Sequence, residues 1–504
     1  LNERDQTPQA NLENSVVNLM LQLKKENPQP ETELLPDSFD ISLDKKQTCT
    51  TAEDFSEYKK KYPLWGMPYA LPGLTEKEHK TIVDWLRQGG LITPRPPMSA
   101  KAKKIIHEWE EFFNGSSLKQ QLVSRYIYEH LFMGHIHFDS LPDREFYRLV
   151  RSKTGPGEPV IEINTVRPYD DPGVERFYYR LRKVESTIVS KNHIVYRLNR
   201  KKMKRYRKLF LQDNYEVNKL PPYDPKPTSN PFKTFADLPA ISRYKFLLDD
   251  AEYFIMGFMK GPVCRGQIAL NVINDHFFVA FFDPEKDTIS NDTAFISSMS
   301  DYLDLPAGGE DKLNIEILWA DYQSKQRKYL DAKGKYLAQL DPGKKGNDIT
   351  HIWNGDGHNR NALLTIFRHF DSASVVKGFV GEIPKTAWVI DYPLFERIHY
   401  LLVVDFNVFG NVGHQLETRL YMDFLRMEGE NNFLSFLPKD KRVEIRAEWY
   451  KGARAEHKIH LESPLRGLQW DTGIVYRTND PKKEFIEQIL EHAGPAAGPK
   501  DYLN

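Results

Sequence analysis

Apolar positions fall at helical spacing in the first third of the chain and begin to alternate after about residue 159. Leu12, Val16, Leu19, Met20 and Leu23 recur in steps of three and four, which predicts a short helix over 12–25. A Pro-rich connection follows at Pro28, Pro30 and Pro36. Helices are next predicted over 52–61 and 75–88. Thr75 with Glu78 makes a capping box for the second, and Gly89-Gly90 stops it. ITPRPPMS (92–99) reads as a linker. Two helices fill 99–134, broken at Asn114-Gly115, and the second runs 117–132 and stops at Gly134.

Beyond residue 159 the period shortens. VIEINTVRP and NHIVYRLN alternate in strand fashion, and 178–184 repeats the alternation with Arg and Lys. A helix is expected over 201–214, then a Pro-rich loop over 220–231. Residues 241–260 read as helix, 267–282 as strand interrupted at NDH, and 314–340 as a long charged helix. Strands return at 375–380 and 387–390. Helices carrying ERIH and GHQLETR follow, and one more helix precedes a Gly/Pro/Ala-rich tail. No internal repeat is visible. The pattern is α+β with a mostly helical N-terminal third. It divides into a helical, Pro-rich segment 1–98, a helical segment 99–158, and α+β segments 159–310 and 311–504.

Composition changes the picture mainly by exclusion. The 70 basic residues balance 70 acidic ones, which argues against wholesale nucleic-acid binding. No run of about 18 apolar residues exists to make a transmembrane helix. Cys49 and Cys264 form no CxxC, zinc or CxxCH haem-attachment pattern, and a disulfide between them is allowed but not implied. The chain starts at Leu1 without a signal peptide, which fits a piece of a longer precursor.

The stretch 391–430 holds the densest candidate chemistry. It sets Glu396, Arg397, His399, His414, Gln415, Arg419, Asp423, Arg426 and Glu428 among large apolar side chains. Such groups need a satisfied network or a site. Glu396 and His399, three apart on one helix, either orient an imidazole for general-base or metal duty or form a buried ion pair that braces two helices. His414 is expected at a helix N-terminus, where the dipole favours a neutral imidazole. Arg419 and Asp423 are four apart and can pair. RYIYEHLFMGHIHF offers His130, His135 and His137 as a possible metal or haem-ligand cluster, against a plain exposed face of a strand. Cys264 with His276 shows no base–orienter pair, and a packed thiol is the simpler reading. NGDGHN (354–359) reads as a turn before a helix. His79, in the charged TEKEHK, is expected to be exposed.

ERIHYLL followed by GNVGHQLETRLYMDFLRMEGE resembles the signature of the fatty acid cis/trans isomerases. LPDSFDISLDKKQ (35–47), YPLWGMPYALPGL (62–74), RYIYEHLF (125–132), ERFYYRLRKVESTIVSKNHIVY (175–196), GPVCRGQIALNVINDHF (261–277) and FRHFDSASVVKGFVG (367–381) resemble further family blocks, in the family's order. The resemblance implies a bacterial periplasmic enzyme that converts cis acyl chains of membrane phospholipids to trans. It also implies haem c, bound through a CxxCH upstream of the matched region. This chain lacks that motif, so a fragment truncated at both ends and inactive alone is expected. Rotation about an unactivated C=C needs its π overlap broken, which no ordinary side chain does. The chain's part is then to hold the acyl chain in an apolar channel and exclude water. His399, His414, Glu396, Arg419 and Asp423 are the candidate catalytic residues, with His130 and His135 as candidate haem contacts. The basic run at 197–211 offers Lys201, Lys202, Lys204 and Arg205 to an anionic membrane surface, against a solvated helix face. A metal-dependent lipid hydrolase and a non-catalytic lipid-surface domain are the rival readings.

Overall fold

A computed structural model describes residues 5, 7–30, 36, 38–39, 50–91, 97–186, 188, 193–260, 276–306, 315–340, 346–368, 373–404, 412–451 and 470–498. The chain is α+β and forms two units, 1–98 and 99–504.

The first unit is helical. Helices α1 (Pro8–Glu13) and α2 (Val16–Glu26) divide the predicted 12–25 helix, because Ser15 caps α2 by accepting from the Asn18 amide. Helix α3 (Phe55–Lys61) packs Phe55 and Tyr58 on Leu23. Helix α4 (Glu76–Arg87) carries the Thr75–Glu78 capping box and ends at Gly89 and Gly90, both at positive φ. His79 is half-buried rather than exposed, with Nε2 sealed from solvent.

The second unit opens with α5 (Ala100–Phe113) and α6 (Leu118–Leu131). Asn114, in the turn between them, accepts from the Tyr179 amide at 2.9 Å and donates to the Tyr179 carbonyl at 2.8 Å. The turn is thereby fixed to a sheet. That sheet has the order β3-β2-β1-β4, from β1 (His135–Phe138), β2 (Tyr147–Ser152), β3 (Tyr178–Lys183) and β4 (Val195–Leu198). Helix α7 (Arg200–Tyr206) follows β4 and runs on as a π-helical turn, Arg207–Leu211. Then come α8 (Ala240–Asp249) and α9 (Ala251–Lys260), which break the predicted 241–260 helix at Asp250.

The second sheet has the order β7-β6-β5-β8, from β5 (His276–Phe281), β6 (Leu363–Arg368), β7 (Ala373–Lys377) and β8 (Ala387–Ile390). The long helix α10 (Ile315–Leu340) lies between β5 and β6 in sequence. After β8 come α11 (Tyr392–Val404), α12 (Val412–Leu434), α13 (Arg442–Trp449) and α14 (Pro481–Ala493). Helix α12 closes on β8 through Gly429, where an added Cβ would meet the Trp388 ring at 3.2 Å.

The two sheets share one topology, down to register. Each is an antiparallel three-strand meander whose first strand takes the last strand of the unit in parallel. One cross-strand row reads Lys183–Tyr147–Ile136–Tyr196, and its counterpart reads Lys377–Leu364–Val279–Trp388. In each case the residue after the last strand caps the next helix: Asn199 accepts from the Lys202 amide, and Asp391 from the Leu394 amide. The sequence hides this repeat because the side chains differ. β4 alternates exposed and buried positions, whereas β8 is buried throughout.

Several expectations fail. VIEINTVRP forms no strand, only an isolated bridge from Glu162 to Ser152. The turn at NGDGHN, with Gly355, Asp356 and Gly357 at positive φ, leads through a single 3₁₀ turn, Arg360–Ala362, into strand β6 rather than into an α-helix. The first sheet draws strands from both sides of residue 158 and the second from both sides of residue 310, so those segments fold together.

Candidate active site

Helix α11 carries ERIH and is buried along all thirteen residues. It packs against α6, α8, α9 and α12. Asp391 caps its start and pairs with Lys333 of α10. A helix this apolar can carry charge only where a partner meets it. Arg397 donates to Glu428 of α12 at 2.6 Å, and Tyr400 donates to Glu129 of α6 at 2.7 Å. Glu129 also accepts from Arg125 at 2.8 Å.

Glu396 is fully buried and faces α6. His130 Nε2 lies 2.8 Å from its Oε1, and the Tyr126 hydroxyl donates to its Oε2 at 2.9 Å. His130 Nδ1 lies 2.7 Å from the Tyr126 carbonyl. Both nitrogens of His130 thus face acceptors. Either the ring is an imidazolium opposite a carboxylate, or one proton sits on Glu396 Oε1 and donates to Nε2; the atoms share a proton in both cases. Burial raises the Glu396 carboxyl, but His130, Arg243 and Tyr126 together outweigh it and hold it below the usual range. Arg243 is wholly buried and donates to the Pro231 carbonyl at 3.3 Å, while its Nε and Nη2 have no hydrogen-bond partner.

His399 does not pair with Glu396, as their spacing suggested. It stacks on His130, with ring centroids 5.0 Å apart, and Phe254 covers it edge-on at 4.9 Å. Neither ring nitrogen makes a hydrogen bond of ordinary geometry, although the Glu129 and His130 carbonyls lie near enough to favour a proton there. Burial, then the neighbouring His130, pushes its pKa well down, so the ring is neutral. Phe235, Phe246 and Phe254 ring the pair and exclude water. The arrangement can hold a mobile proton and offer a neutral imidazole beside it, inside an apolar shell.

The remaining candidates scatter. Asp423 pairs with Arg426 at 3.3 Å, and Arg426 in turn joins Glu430 and Tyr450, the residue after α13, in a buried network. The backbone of α12 includes His414 and Arg419, whose side chains lie outside the described residues. His135 is not beside His130's partner. It faces His193, Nδ1 to Nδ1 at 3.3 Å, and burial, with Arg148 and His193, lowers its pKa to about 4. Cys49, Cys264, Asn274 and Asp275 lie outside the described residues. His276 Nε2 bonds the Glu382 carbonyl at 2.8 Å. Among the described residues, no three His, Cys, Asp or Glu side chains converge to hold a metal ion, so the hydrolase reading finds no ligand set there. Nor is any described helix long and apolar enough to cross a membrane.

In the basic run, Lys202 pairs with Asp250 at 2.6 Å and Arg205 with Asp249 at 2.7 Å. Both therefore brace α7 against the α8–α9 junction. Lys201 and Lys204 are exposed.

The family model of fatty acid cis/trans isomerase matches residues 1–504. The chain belongs to the fatty acid cis/trans isomerase family. No curated protein and no solved structure matches it. Within this isomerase fold, sequence reading chose Glu396, His399 and His130 but missed Tyr126, Arg243 and the Arg125–Glu129–Tyr400 chain. A signal existed for Tyr126, which is four residues before His130 on a helix with few exposed positions. Arg243 had none, since its role depends on a contact across the fold.

Proposed function

We propose that the chain isomerises cis-unsaturated acyl chains of membrane phospholipids to trans, in the periplasm and with help from a c-type haem. The match to the isomerase family along residues 1–504 carries the reading. Support for a location comes from the His130–Glu396–His399 cluster between α6 and the ERIH helix.

A covalently attached haem does not fit the residues of this chain. Cys49 and Cys264 stand far apart in sequence, and neither belongs to a CxxCH. Imidazolium and carboxylic acid groups are far too weak as acids to protonate an unactivated alkene. The His130–Glu396 pair therefore fixes charge and orients its neighbours rather than breaking the π bond. His399, buried and neutral beside that pair, keeps the second imidazole of the cluster uncharged. The phenylalanine shell matches an acyl chain and keeps water out.

The test uses the native gene product, made in a host that matures c-type haem, on vesicles of a cis-monounsaturated phospholipid. Gas chromatography of fatty acid methyl esters follows the product. Trans product that depends on haem loading supports the reading. A haem-loaded protein that forms none contradicts it, and equal product from haem-free protein contradicts a need for haem. The 504-residue chain alone is expected to show no c-type Soret band and no trans product.

A further inference from the structure

The outer face of the first sheet carries positive charge that the described residues around it do not balance. Register sets Arg182 of β3 opposite Arg148 of β2, and the Ile136–Tyr147 pairing sets Arg148 opposite His135 of β1. His135 pairs in turn with Val195 of β4, and His193, two residues before Val195, meets it Nδ1 to Nδ1 at 3.3 Å. The alternate positions Ile136, Tyr147, Leu181 and Tyr196 are buried in the core. Like charges directly opposite on a sheet are destabilising. Glu162 relieves only one of the two arginines, through an ion pair with Arg182 at 3.0 Å.

Arg148 is half-buried, yet it makes no hydrogen bond and no ion pair with any described residue. Burial, then the facing Arg182, disfavours its charge more than Glu162 favours it. Its nitrogens are not sealed in the core as Arg243 Nε and Nη2 are, so solutes reach them. The Nε2 atoms of His135 and His193 are likewise open. The Nδ1–Nδ1 contact orients these rings. A neutral imidazole has one N–H, so the ring that accepts at Nδ1 keeps its own proton on Nε2. At least one imidazole therefore offers an N–H outward, beside the guanidinium. Phe146 packs against both rings, with centroids 6.2 Å from His135 and 4.9 Å from His193. Lys260 adds a further cation, donating to the His193 carbonyl at 3.4 Å.

These groups are donors and cations, and among the described residues no carboxylate bonds to Arg148, His135 or His193. A guanidinium beside imidazoles matches the several acceptor oxygens of a phosphate. We infer that Arg148, His135 and His193 bind a phosphate group on the outer face of the first sheet. The inference stands apart from the isomerase reading, because no acyl chain enters it.

Calorimetric titration of the native protein with inorganic phosphate, sulfate and acetate tests it, at ionic strength matched with sodium chloride. One saturable site for phosphate and sulfate, weaker for acetate, is expected. Arg148→Gln should weaken phosphate binding about 10-fold or more, the loss of a charge-assisted contact. That variant removes an unpaired cation facing Arg182, so its melting temperature should hold or rise. His193→Gln should weaken phosphate binding as well, and Lys204→Gln, exposed on α7, should not. No saturable phosphate binding, tighter binding of acetate, or an affinity that Arg148→Gln leaves unchanged overturns the inference. Flotation with phosphatidic acid vesicles separates the sources of the phosphate. Loss of both vesicle and phosphate binding in Arg148→Gln supports the site and assigns a lipid headgroup. Loss of phosphate binding alone supports the site and assigns a soluble phosphate compound.

Discussion

Glu396 illustrates how far a residue can be read without its surroundings. Its burial and its importance were legible in ERIHYLL, because a carboxylate inside an apolar helix needs a partner. Its partner was not legible. The nearest histidine in sequence, His399, stacks beside the pair, while the proton-sharing ring is His130, 266 residues away. Local spacing cannot report a contact made by packing α6 on α11. Removing one member of a buried pair strands the other, so Glu396→Ala should destabilise the fold by about 3–5 kcal/mol in urea unfolding. A loss below 1 kcal/mol would mean the pair is not formed. The histidines also predict an acid sensitivity. Folding lowers the pKa of His135, to about 4, and that of His399, each below the ordinary value of 6.5. Below pH 6.5 the unfolded chain therefore binds protons that the folded chain refuses, and stability falls as pH drops from 6.5 towards 4. His135→Asn should flatten part of that fall in thermal melts. An unchanged slope would remove His135 as its source.

Elements were legible where their surroundings are simple. The capping box of α4, the break between α5 and α6, and strand β8 follow local rules. Strand β2 escaped notice because Arg151 interrupts its apolar run, yet that arginine is buried and bonded to the Asp170 carbonyl and Thr165. Strand β6 escaped because buried positions on both faces erase alternation. Helix α7 shows the opposite fault, in that a run of like residues proved to have two roles. Lys202 and Arg205 are ion-paired to Asp250 and Asp249, while Lys201, Lys204, Arg207 and Lys208 are exposed. Reversing the four exposed charges to Glu should weaken co-sedimentation with anionic vesicles, less so at high salt, and leave the melting temperature nearly unchanged. Binding that is unaffected at low salt would take α7 off the membrane surface. Reversing Lys202 and Arg205 instead sets Glu against Asp in a half-buried junction and should lower stability. That variant is therefore no test of membrane contact.

At the scale of the molecule, the second unit holds two sheets of matching topology and one wholly buried helix, which carries Glu396 and His399. The α+β class was legible from the change of period near residue 159, but the repeat and the centrality of α11 were not, since both arise from long-range pairing. We propose that function depends on His399, buried and neutral beside the His130–Glu396 pair. Its direct test pairs activity with stability for His399→Leu in the haem-loaded native protein, with exposed His107→Leu as control. Leu fills a similar space and removes two buried nitrogens that make no hydrogen bond of ordinary geometry. The account predicts an equal or higher melting temperature together with a trans-fatty-acid yield reduced about 10-fold or more, a loss of at least about 1.4 kcal/mol in the barrier. A His399→Leu protein that melts as predicted and still forms trans product at the rate of the His107 control would contradict it.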